Sequence, residues 1–375
     1  MRMRIRALVG PGRALLAVVL VLGQSCAPAP LPKARLTAGE RAALEAAGSF
    51  GELFRETRRV RLGGEREQPL SVRPLLQTIT KEGEFIVLDK LNVRNIFRFG
   101  PDGEPRGRLG EEGRGPGRYI YPHTLAYDTD RNHFLVYDGD LLRVLEFGSD
   151  FRFRRLFDLP LYVDSLLVTD GRLFAYSSTE ANSDPDSPHI HEFSYDGEVT
   201  RGFLPRPAAY EPIAASEGGG VVAVGGHLYA ITPYDYTISV FTRDGRLVTE
   251  AVQESAFYRP PVPADEIAGE DEFDHLQNYH ASWSHIRQIL AVDGLIAVIF
   301  AEPGERRVLL DLYDQDLAPV VEDVELPAYL GDIYAAGDSI YLLDHERATV
   351  GGLLANPELV QYRLVTAIDG REGGA

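Results

Sequence analysis

The stretch Phe99-Gly-Pro-Asp-Gly103 decides the fold, because its pattern returns along the chain. An aromatic residue, two further residues and an aspartate recur in Phe147–Asp150, Phe193–Asp196, Phe241–Asp244 and Tyr313–Asp316. A sixth, degraded copy begins at Tyr362, where Val365 replaces the aspartate. The aromatic residues are 48, 46, 48, 72 and 49 positions apart. Self-similarity at a period of about 40–50 residues is typical of propeller blades.

Each copy predicts a hairpin corner, because an apolar segment precedes the aromatic residue and Asp-Gly favours a tight turn. Six corners predict an all-β, six-bladed β-propeller. Residues 59–62 and 70–79 precede the first unit without a hairpin partner. Residues 358–366, at the end of the sixth unit, also lack a local partner. We therefore expect 59–62 or 70–79 to pair with 358–366, since closing the ring removes exposed sheet edges.

A run of β-branched and aromatic residues precedes each corner, which is typical of a buried strand. We expect these runs to be the innermost strands of the blades: 84–89, 133–138, 172–176, 227–231, 295–300 and 339–344. Asp89, Asp138 and Asp344 end three of the runs. That interpretation places the three carboxylates around one mouth of the channel, where we expect them to accept hydrogen bonds from turn amides.

Charge and cysteine content exclude several classes of protein. The chain of 375 residues has 56 acidic and 38 basic residues, and its formal net charge is −18. Nucleic-acid phosphates would repel such a surface, so nucleic acid is not an expected partner. The single cysteine allows neither a disulfide framework nor a Cys-x-x-Cys metal site within the chain.

Residues 1–25 have the layout of a signal peptide, with a basic start, an apolar run too short to span a bilayer, and small residues before Cys26. The segment 22–26 resembles a bacterial lipobox, which implies cleavage before Cys26 and lipid attachment to it. The alternative is an ordinary signal peptide with an incidental cysteine. The resemblance implies a lipid-anchored protein of the bacterial cell envelope, and Ala27 favours the outer membrane, facing the periplasm.

The remaining boundaries follow from composition and local motifs. Residues 26–57 form a linker, in which Thr37 and Glu40 predict a capping box and a short helix. Residues 50–58 are expected to add helical turns, and strand character begins at Arg59. The propeller spans 58–368, and 369–375 form a polar tail.

The first unit carries a family resemblance. Phe99-Gly-Pro-Asp-Gly103, the glycine-rich segment 108–117, Tyr121-Pro122 and Leu125–Asp128 together resemble the NHL repeat. With the leader and Cys26, the chain is similar to six-bladed β-propeller lipoproteins of Gram-negative bacteria. The resemblance implies a fold rather than an activity, because such propellers serve as lyases, lactonases, receptors and scaffolds.

Patterns that predict catalysis are missing from the sequence. It has no Gly-x-Ser-x-Gly elbow, and its only cysteine lies outside the propeller. His275, His280 and His285 are five residues apart, which does not match a zinc-protease helix, so we interpret them as solvated or interface histidines. The glycines of 110–117 are interpreted as a connection between blades. We therefore predict no catalytic residue, metal site or cofactor.

The sequence favours a non-catalytic protein that binds an envelope protein, peptide or glycan through loops at one face. The alternative is a metal-dependent lyase or lactonase with its site at the channel mouth. Residues 253–284 form an insertion rich in acidic and aromatic residues, predicted to lie over one mouth; the alternative is a solvated excursion. The residues expected to contact the partner are Arg94, His123, Phe273, Tyr279 and Trp283.

Overall fold

The computed structural model describes residues 36–63, 70, 74–90, 94–178, 187–205, 218–261, 278, 281–305, 307–327, 333–344, 349–350, 353–354 and 356–365. Its helices are α1 (Ala38–Glu45), α2 (Phe50–Leu53) and a 3₁₀ turn at Pro303–Glu305. None of the helices in these ranges is long and apolar enough to cross a membrane.

Six four-stranded antiparallel sheets form the blades. Blades one to three comprise β2 (Leu75–Ile79), β3 (Phe85–Asp89), β4 (Asn95–Phe99) and β5 (Pro105–Arg108); β8 (Pro122–Asp128), β9 (His133–Asp138), β10 (Arg143–Phe147) and β11 (Phe153–Asp158); and β12 (Ser165–Thr169), β13 (Arg172–Tyr176), β14 (Ile190–Phe193) and β15 (Val199–Phe203).

Blades four to six comprise β16 (Gly220–Val224), β17 (His227–Thr232), β18 (Asp235–Thr242) and β19 (Leu247–Val252); β20 (His285–Val292), β21 (Leu295–Ala301), β22 (Val308–Tyr313) and β23 (Pro319–Glu325); and β24 (Tyr334–Ala336), β25 (Ser339–Asp344), β28 (Glu358–Leu364) and β1 (Phe54–Arg61). Two further two-stranded sheets lie in connections: β6 (Glu111–Glu112) with β7 (Arg118–Tyr119) between blades one and two, and β26 (Thr349–Val350) with β27 (Leu353–Leu354) between β25 and β28 of blade six.

The ring closes within blade six, as the sequence predicts. Its order is β24, β25, β28 and β1, so the outermost strand comes from the opposite end of the chain. The pairing of β1 with β28 is antiparallel from Phe54↔Leu364 to Arg61↔Glu358. Ion pairs strengthen this junction, since Arg59 lies 2.8 Å from Asp344 and 3.2 Å from Glu358. Closure therefore joins the two ends of the domain with backbone hydrogen bonds.

The repeated aromatic residue ends the third strand of each blade. In blades one to five the register shifts at this residue, which produces a β-bulge before the turn to the fourth strand. The aromatic side chains are buried, from Phe99 to Tyr362. The corner glycines Gly103, Gly197 and Gly245 have positive φ, of +84°, +86° and +75°. A Cβ at Gly103 or Gly197 would meet a carbonyl oxygen of the preceding blade's outer strand. The motif thus fixes both the turn and the approach of neighbouring blades.

The first strands of the blades are innermost, because β2, β8, β12, β16, β20 and β24 contact one another in order around the ring. This finding corrects the expectation for the apolar runs such as 84–89 and 133–138, which form the second strands. Those strands are the most completely buried because each is covered by sheet neighbours on both edges and by adjacent blades on both faces.

The segment before the ring begins as the sequence predicts and then departs from it. Thr37 and Glu40 form a capping box at the start of α1. The helical expectation for 50–58 is wrong beyond Leu53, because Phe54 already begins β1 and pairs with Leu364. Phe50 contacts the rings of Phe54 and Tyr362, so burial of aromatic residues against blade six determines where the strand starts.

The pairing of β1 with β28 leads to a test of ring closure. We expect truncation after Pro357 to abolish cooperative unfolding of the whole domain, because it removes β28, leaves β1 unpaired and exposes one edge of β25. Thermal unfolding followed by circular dichroism measures this. Truncation after Val365, which keeps β28, is the matched control and should melt like the full chain. Identical melting of the two truncations would contradict the role of closure.

Candidate functional site

The two faces of the ring differ in their connections. At one face, named here the turn face, the strands are joined by turns of two to five residues, such as 129–132 and 225–226. The other face, named the loop face, has some short connections such as 233–234, but it also has all the longer ones, among them 109–121, 204–219 and the insertion 253–284. Binding residues concentrate in loops held by a rigid scaffold, so the loop face is the candidate site.

A cluster of aromatic and basic side chains lies at the loop face where blades one, two and three meet. This loop-face cluster comprises Lys90, Arg94, Tyr121, His123 and Tyr162. The guanidinium of Arg94 lies 5.3 Å from the ring centre of Tyr121. The ring of His123 lies 5.6 Å from that of Tyr121 and 4.9 Å from that of Tyr162. Two residues predicted from the sequence, Arg94 and His123, therefore share one site through Tyr121.

A β-bulge positions His123. Pro122 pairs with Asp138 and Thr124 pairs with Tyr137, which leaves His123 as the extra residue of inner strand β8. Bulges re-aim a side chain and are frequent beside functional sites. The hydroxyl of Tyr162 lies 3.2 Å from Nδ1 and 3.3 Å from Nε2 of His123, so it hydrogen-bonds one of these nitrogens. The bulge thus turns the imidazole toward blade three.

His123 is only 1% exposed, and burial lowers the pKa of its imidazole to about 3, with a smaller contribution from the charge of Lys90. The ring is therefore neutral at physiological pH and can donate one hydrogen bond and accept another. The side chain serves as a neutral, rigid wall of the cluster rather than as a third positive charge.

A second buried polar group, which the sequence analysis missed, surrounds His189 in blade three. Its Nδ1 lies 2.7 Å from the carbonyl oxygen of Ser177, and its Nε2 lies 2.6 Å from the hydroxyl of Tyr234. A carbonyl oxygen can only accept, so Nδ1 donates to it, and Nε2 shares a hydrogen bond with the hydroxyl of Tyr234. This contact joins blade three to the tight connection between β17 and β18 of blade four.

The described ends of the insertion are held firmly on blade five. The amide of Ser284 donates to the carbonyl oxygen of Arg259 at 2.8 Å, and the amide of Arg259 donates to Oγ of Ser284 at 3.0 Å. Tyr258 packs against the rings of Tyr236 and Phe300, 4.9 and 6.0 Å away. The insertion therefore leaves and re-enters the propeller at one closed base on the loop face.

A buried carboxylate supports that base. Asp311 accepts hydrogen bonds from the hydroxyl of Tyr236 and, at 2.6 Å, from the amide of Asp323. The Asp323 carboxylate in turn accepts a hydrogen bond from Ser255 of the insertion at 2.5 Å. Burial raises the pKa of Asp311 to about 6. Among the described residues no cation pairs with this carboxylate, so its hydrogen bonds are what stabilise the charged form.

The insertion's aromatic residues do not share one environment. Trp283 has no exposed surface, and its ring is tilted by 35° against that of His285, with ring centres 3.8 Å apart. Trp283 therefore packs at the closed base in this structure, and its contact with a partner remains a prediction. Phe273 and Tyr279 lie outside the described residues, as do His275 and His280.

The three strand-ending aspartates do not ring the channel on innermost strands, because they end second strands and are buried. Asp138 accepts from the amides of Ile120 at 2.9 Å and Tyr121 at 3.1 Å, which is the predicted role. Asp344 instead pairs with Arg59 across the closing strands. Asp138 therefore positions the connection that carries Tyr121, and Asp344 supports ring closure.

Within the described ranges, no group of three or more His, Cys, Asp and Glu side chains could hold a metal ion. The glycine-rich segment 110–117 forms the connection between blades one and two, with β6 and β7 pairing across it. A hydrogen bond from the hydroxyl of Tyr119 to the carbonyl oxygen of Leu109, at 3.0 Å, holds this connection. This confirms the interpretation of these glycines as a connection between blades.

The comparisons agree with the architecture. A family model described as 6-bladed beta-propeller matches residues 75–258, which run from β2 through blade four to the first residues of the insertion. The chain is a six-bladed β-propeller. No curated protein matches its sequence.

Solved structures show the same fold. A protein described as exported, from Bacteroides fragilis, is 15% identical, with a TM-score of 0.64 over 84% of this chain and 96% of that one. A member of the duf4221 family from Bacteroides vulgatus is 11% identical, with a TM-score of 0.63 over 83% and 97%. Virginiamycin B lyase from Staphylococcus aureus, 15% identical over 78% and 81%, has a TM-score of 0.49, from which nothing about activity follows.

The burial of His123 predicts an unusual titration. The folded-state pKa lies below the ordinary value of 6.5, so the neutral ring contributes stability above about pH 6.5 that is lost as the pH falls toward 3. Long-range ¹H–¹⁵N spectra should show imidazole signals of His123 that do not shift between pH 5 and 8. A His123→Asn variant assigns the signals. A midpoint near 6.5 would contradict the buried, neutral ring.

Proposed function

We propose that this chain is a non-catalytic cell-envelope lipoprotein whose propeller binds a protein, peptide or glycan through the loop face. The observation that carries the proposal is the difference between the faces: the turn face has only short turns, whereas the longer connections and the loop-face cluster lie opposite. Short turns offer little surface that can vary, whereas loops on a rigid ring can form a binding surface. The solved relative described as exported favours a location outside the cytoplasm.

The position of α1 supports an anchored arrangement. Arg41 of α1 forms an ion pair with Asp314 and donates to the carbonyl oxygen of Pro319 at 3.2 Å, both at the turn between β22 and β23. Leu44 packs into the hydrophobic core of blades five and six. The described chain thus enters the domain at the turn face.

Lipid attachment is tested by localisation. We expect Cys26→Ser to move the protein from the membrane fraction to the soluble periplasmic fraction, because it removes the thiol that carries the lipid. Fractionation of cells followed by immunoblotting measures the distribution. Ser25→Ala, which keeps the cysteine, is the matched control and should remain in the membrane. Retention of Cys26→Ser in the membrane fraction would overturn the lipid anchor.

Binding is tested by shortening the insertion. We expect replacement of residues 262–277 by a short Gly/Ser linker to abolish capture of partners from envelope extract, while the propeller melts as before. The base remains closed in this variant, because Arg259, Ser284 and Trp283 are all kept. Affinity capture with quantitative mass spectrometry measures the loss.

The control for that experiment changes the opposite face. Arg152 and Arg246 lie in turns of the turn face, and both are exposed. The double variant Arg152→Gln/Arg246→Gln should capture the same partners as the unmodified chain. Capture that survives shortening of the insertion, or is lost only in the turn-face variant, would contradict the proposed binding face.

A further inference from the structure

Two basic residues of the loop-face cluster flank one hairpin. Asp89 and Asn95 form the last pair of β3 and β4, and Lys90 and Arg94 are the next residue on each side. Residues that face each other across antiparallel strands have Cα atoms about 5 Å apart, so the adjoining register brings the backbones of Lys90 and Arg94 close together. Arg94 has a φ of +46°, a left-handed conformation that is unfavourable for a residue with a side chain. Such conformations often occur at ligand sites.

Neither charge is neutralised by the part of the chain that the structure describes. Among the described residues, the Arg94 guanidinium contacts only the ring of Tyr121. No carboxylate of these residues lies within ion-pair distance of Lys90 or Arg94. Arg98, on the same strand, shows the usual arrangement, with Glu84 at 3.1 Å. In a chain with a net charge of −18, two neighbouring cations without an ion-pair partner in the described residues form a local positive site at the loop face.

The surroundings of the two cations favour one acceptor group with an adjoining ring. The planar guanidinium of Arg94 matches a carboxylate through two parallel hydrogen bonds, and the ammonium of Lys90 adds a point charge. Tyr121, which contacts Arg94, and Tyr162, which contacts the far side of the group at His123, are half-buried, and each has an apolar ring with a polar tip. A pyranose bearing a carboxylate has this combination of a charged group and an apolar C–H face.

An extended peptide fits less well at this place. A peptide that adds a strand needs unpaired backbone groups on a sheet edge. At the inner edge of blade two the amide of Leu125 already donates to Oε1 of Gln77 at 3.0 Å, so the neighbouring blade occupies that position. The charged site is therefore a small site between loops, and it does not continue an unpaired sheet edge.

We propose that Lys90 and Arg94, with Tyr121 and Tyr162 beside them, bind the carboxylate of an acidic sugar residue of the uronate type. This inference rests on the proposed function and specifies the ligand class of the same face. Binding requires no covalent step: the carboxylate replaces water around the two cations, and the sugar ring packs on the tyrosine rings. His123 supports the site as the neutral residue between those rings.

Isothermal titration calorimetry of the full chain in detergent tests the ligand class, with tri-galacturonate as the probe and maltotriose as the uncharged control. We expect saturable binding of tri-galacturonate, weakened by added salt, and none of maltotriose. Lys90→Gln/Arg94→Gln should weaken binding at least about tenfold, the usual effect of losing hydrogen bonds to a charged group. Arg94→Lys keeps the charge but not the planar fork, so it should weaken binding less.

The control variant is again Arg152→Gln/Arg246→Gln, which makes the same change in net charge on the turn face and should bind normally. Melting temperatures of all variants establish that each is folded. Absence of tri-galacturonate binding, unchanged binding by Lys90→Gln/Arg94→Gln, or preference for tri-glutamate over the sugar would overturn the uronate site. The proposed function fails separately, through the capture experiment with the shortened insertion.

Discussion

The pairing of β1 with β28 is the interaction on which the rest of the structure depends. An open row of six sheets would expose the backbone edges of a first and a last blade, and it would leave the apolar faces of those blades uncovered. Here the chain's first strand completes the last blade, from Phe54↔Leu364 to Arg61↔Glu358, so each blade packs between two neighbours. Arg59 adds ion pairs to Asp344 and Glu358 at this junction. The positions of all inner strands, and therefore of His123, follow from a closed ring.

The same topology separates structural from functional surfaces. In blades one to five the first-to-second and third-to-fourth strand turns lie at the turn face, whereas the second-to-third strand connection and the passage to the next blade lie at the loop face. The aromatic-turn motif occupies the turn face and holds the blades together, with glycines at Gly103 and Gly197 allowing close approach. The connections of the loop face do not contain this motif. It carries the Lys90–Arg94 pair, the Tyr121–His123–Tyr162 group and the base of the insertion.

The fold was predictable from the sequence because it depends on a repeated local pattern. Six aromatic corners set the number of blades, and unpartnered strand segments at both ends predicted closure. The order of strands within a blade was harder to predict, because buried runs such as 133–138 form the second strand and not the innermost one. Hydrophobic periodicity indicates that a strand is buried, but not which neighbouring element covers it. The burial of Trp283 was not accessible from the sequence either, because aromatic content cannot distinguish a packing residue from an exposed one.

The site itself was only partly predictable. Arg94 and His123 were identified as loop residues, but their shared contact through Tyr121 joins two blades and has no signal in local sequence. The bulge that re-aims His123 depends on pairing with Asp138 and Tyr137, which a single strand does not reveal. Lys90, Tyr162 and His189 were missed because their neighbours are distant in the chain. Position on a strand was predictable, whereas convergence of several blades was not.

Site-specific photo-crosslinking in cells tests the central claim, that the loop face binds and the turn face does not, most directly. A benzophenone amino acid is placed at Asp140, exposed on the loop face, or at Asp130, exposed on the turn face. Both positions lie in blade two, so folding and expression are matched. We expect crosslinked adducts from position 140 and none from position 130. Adducts only from position 130 would contradict it.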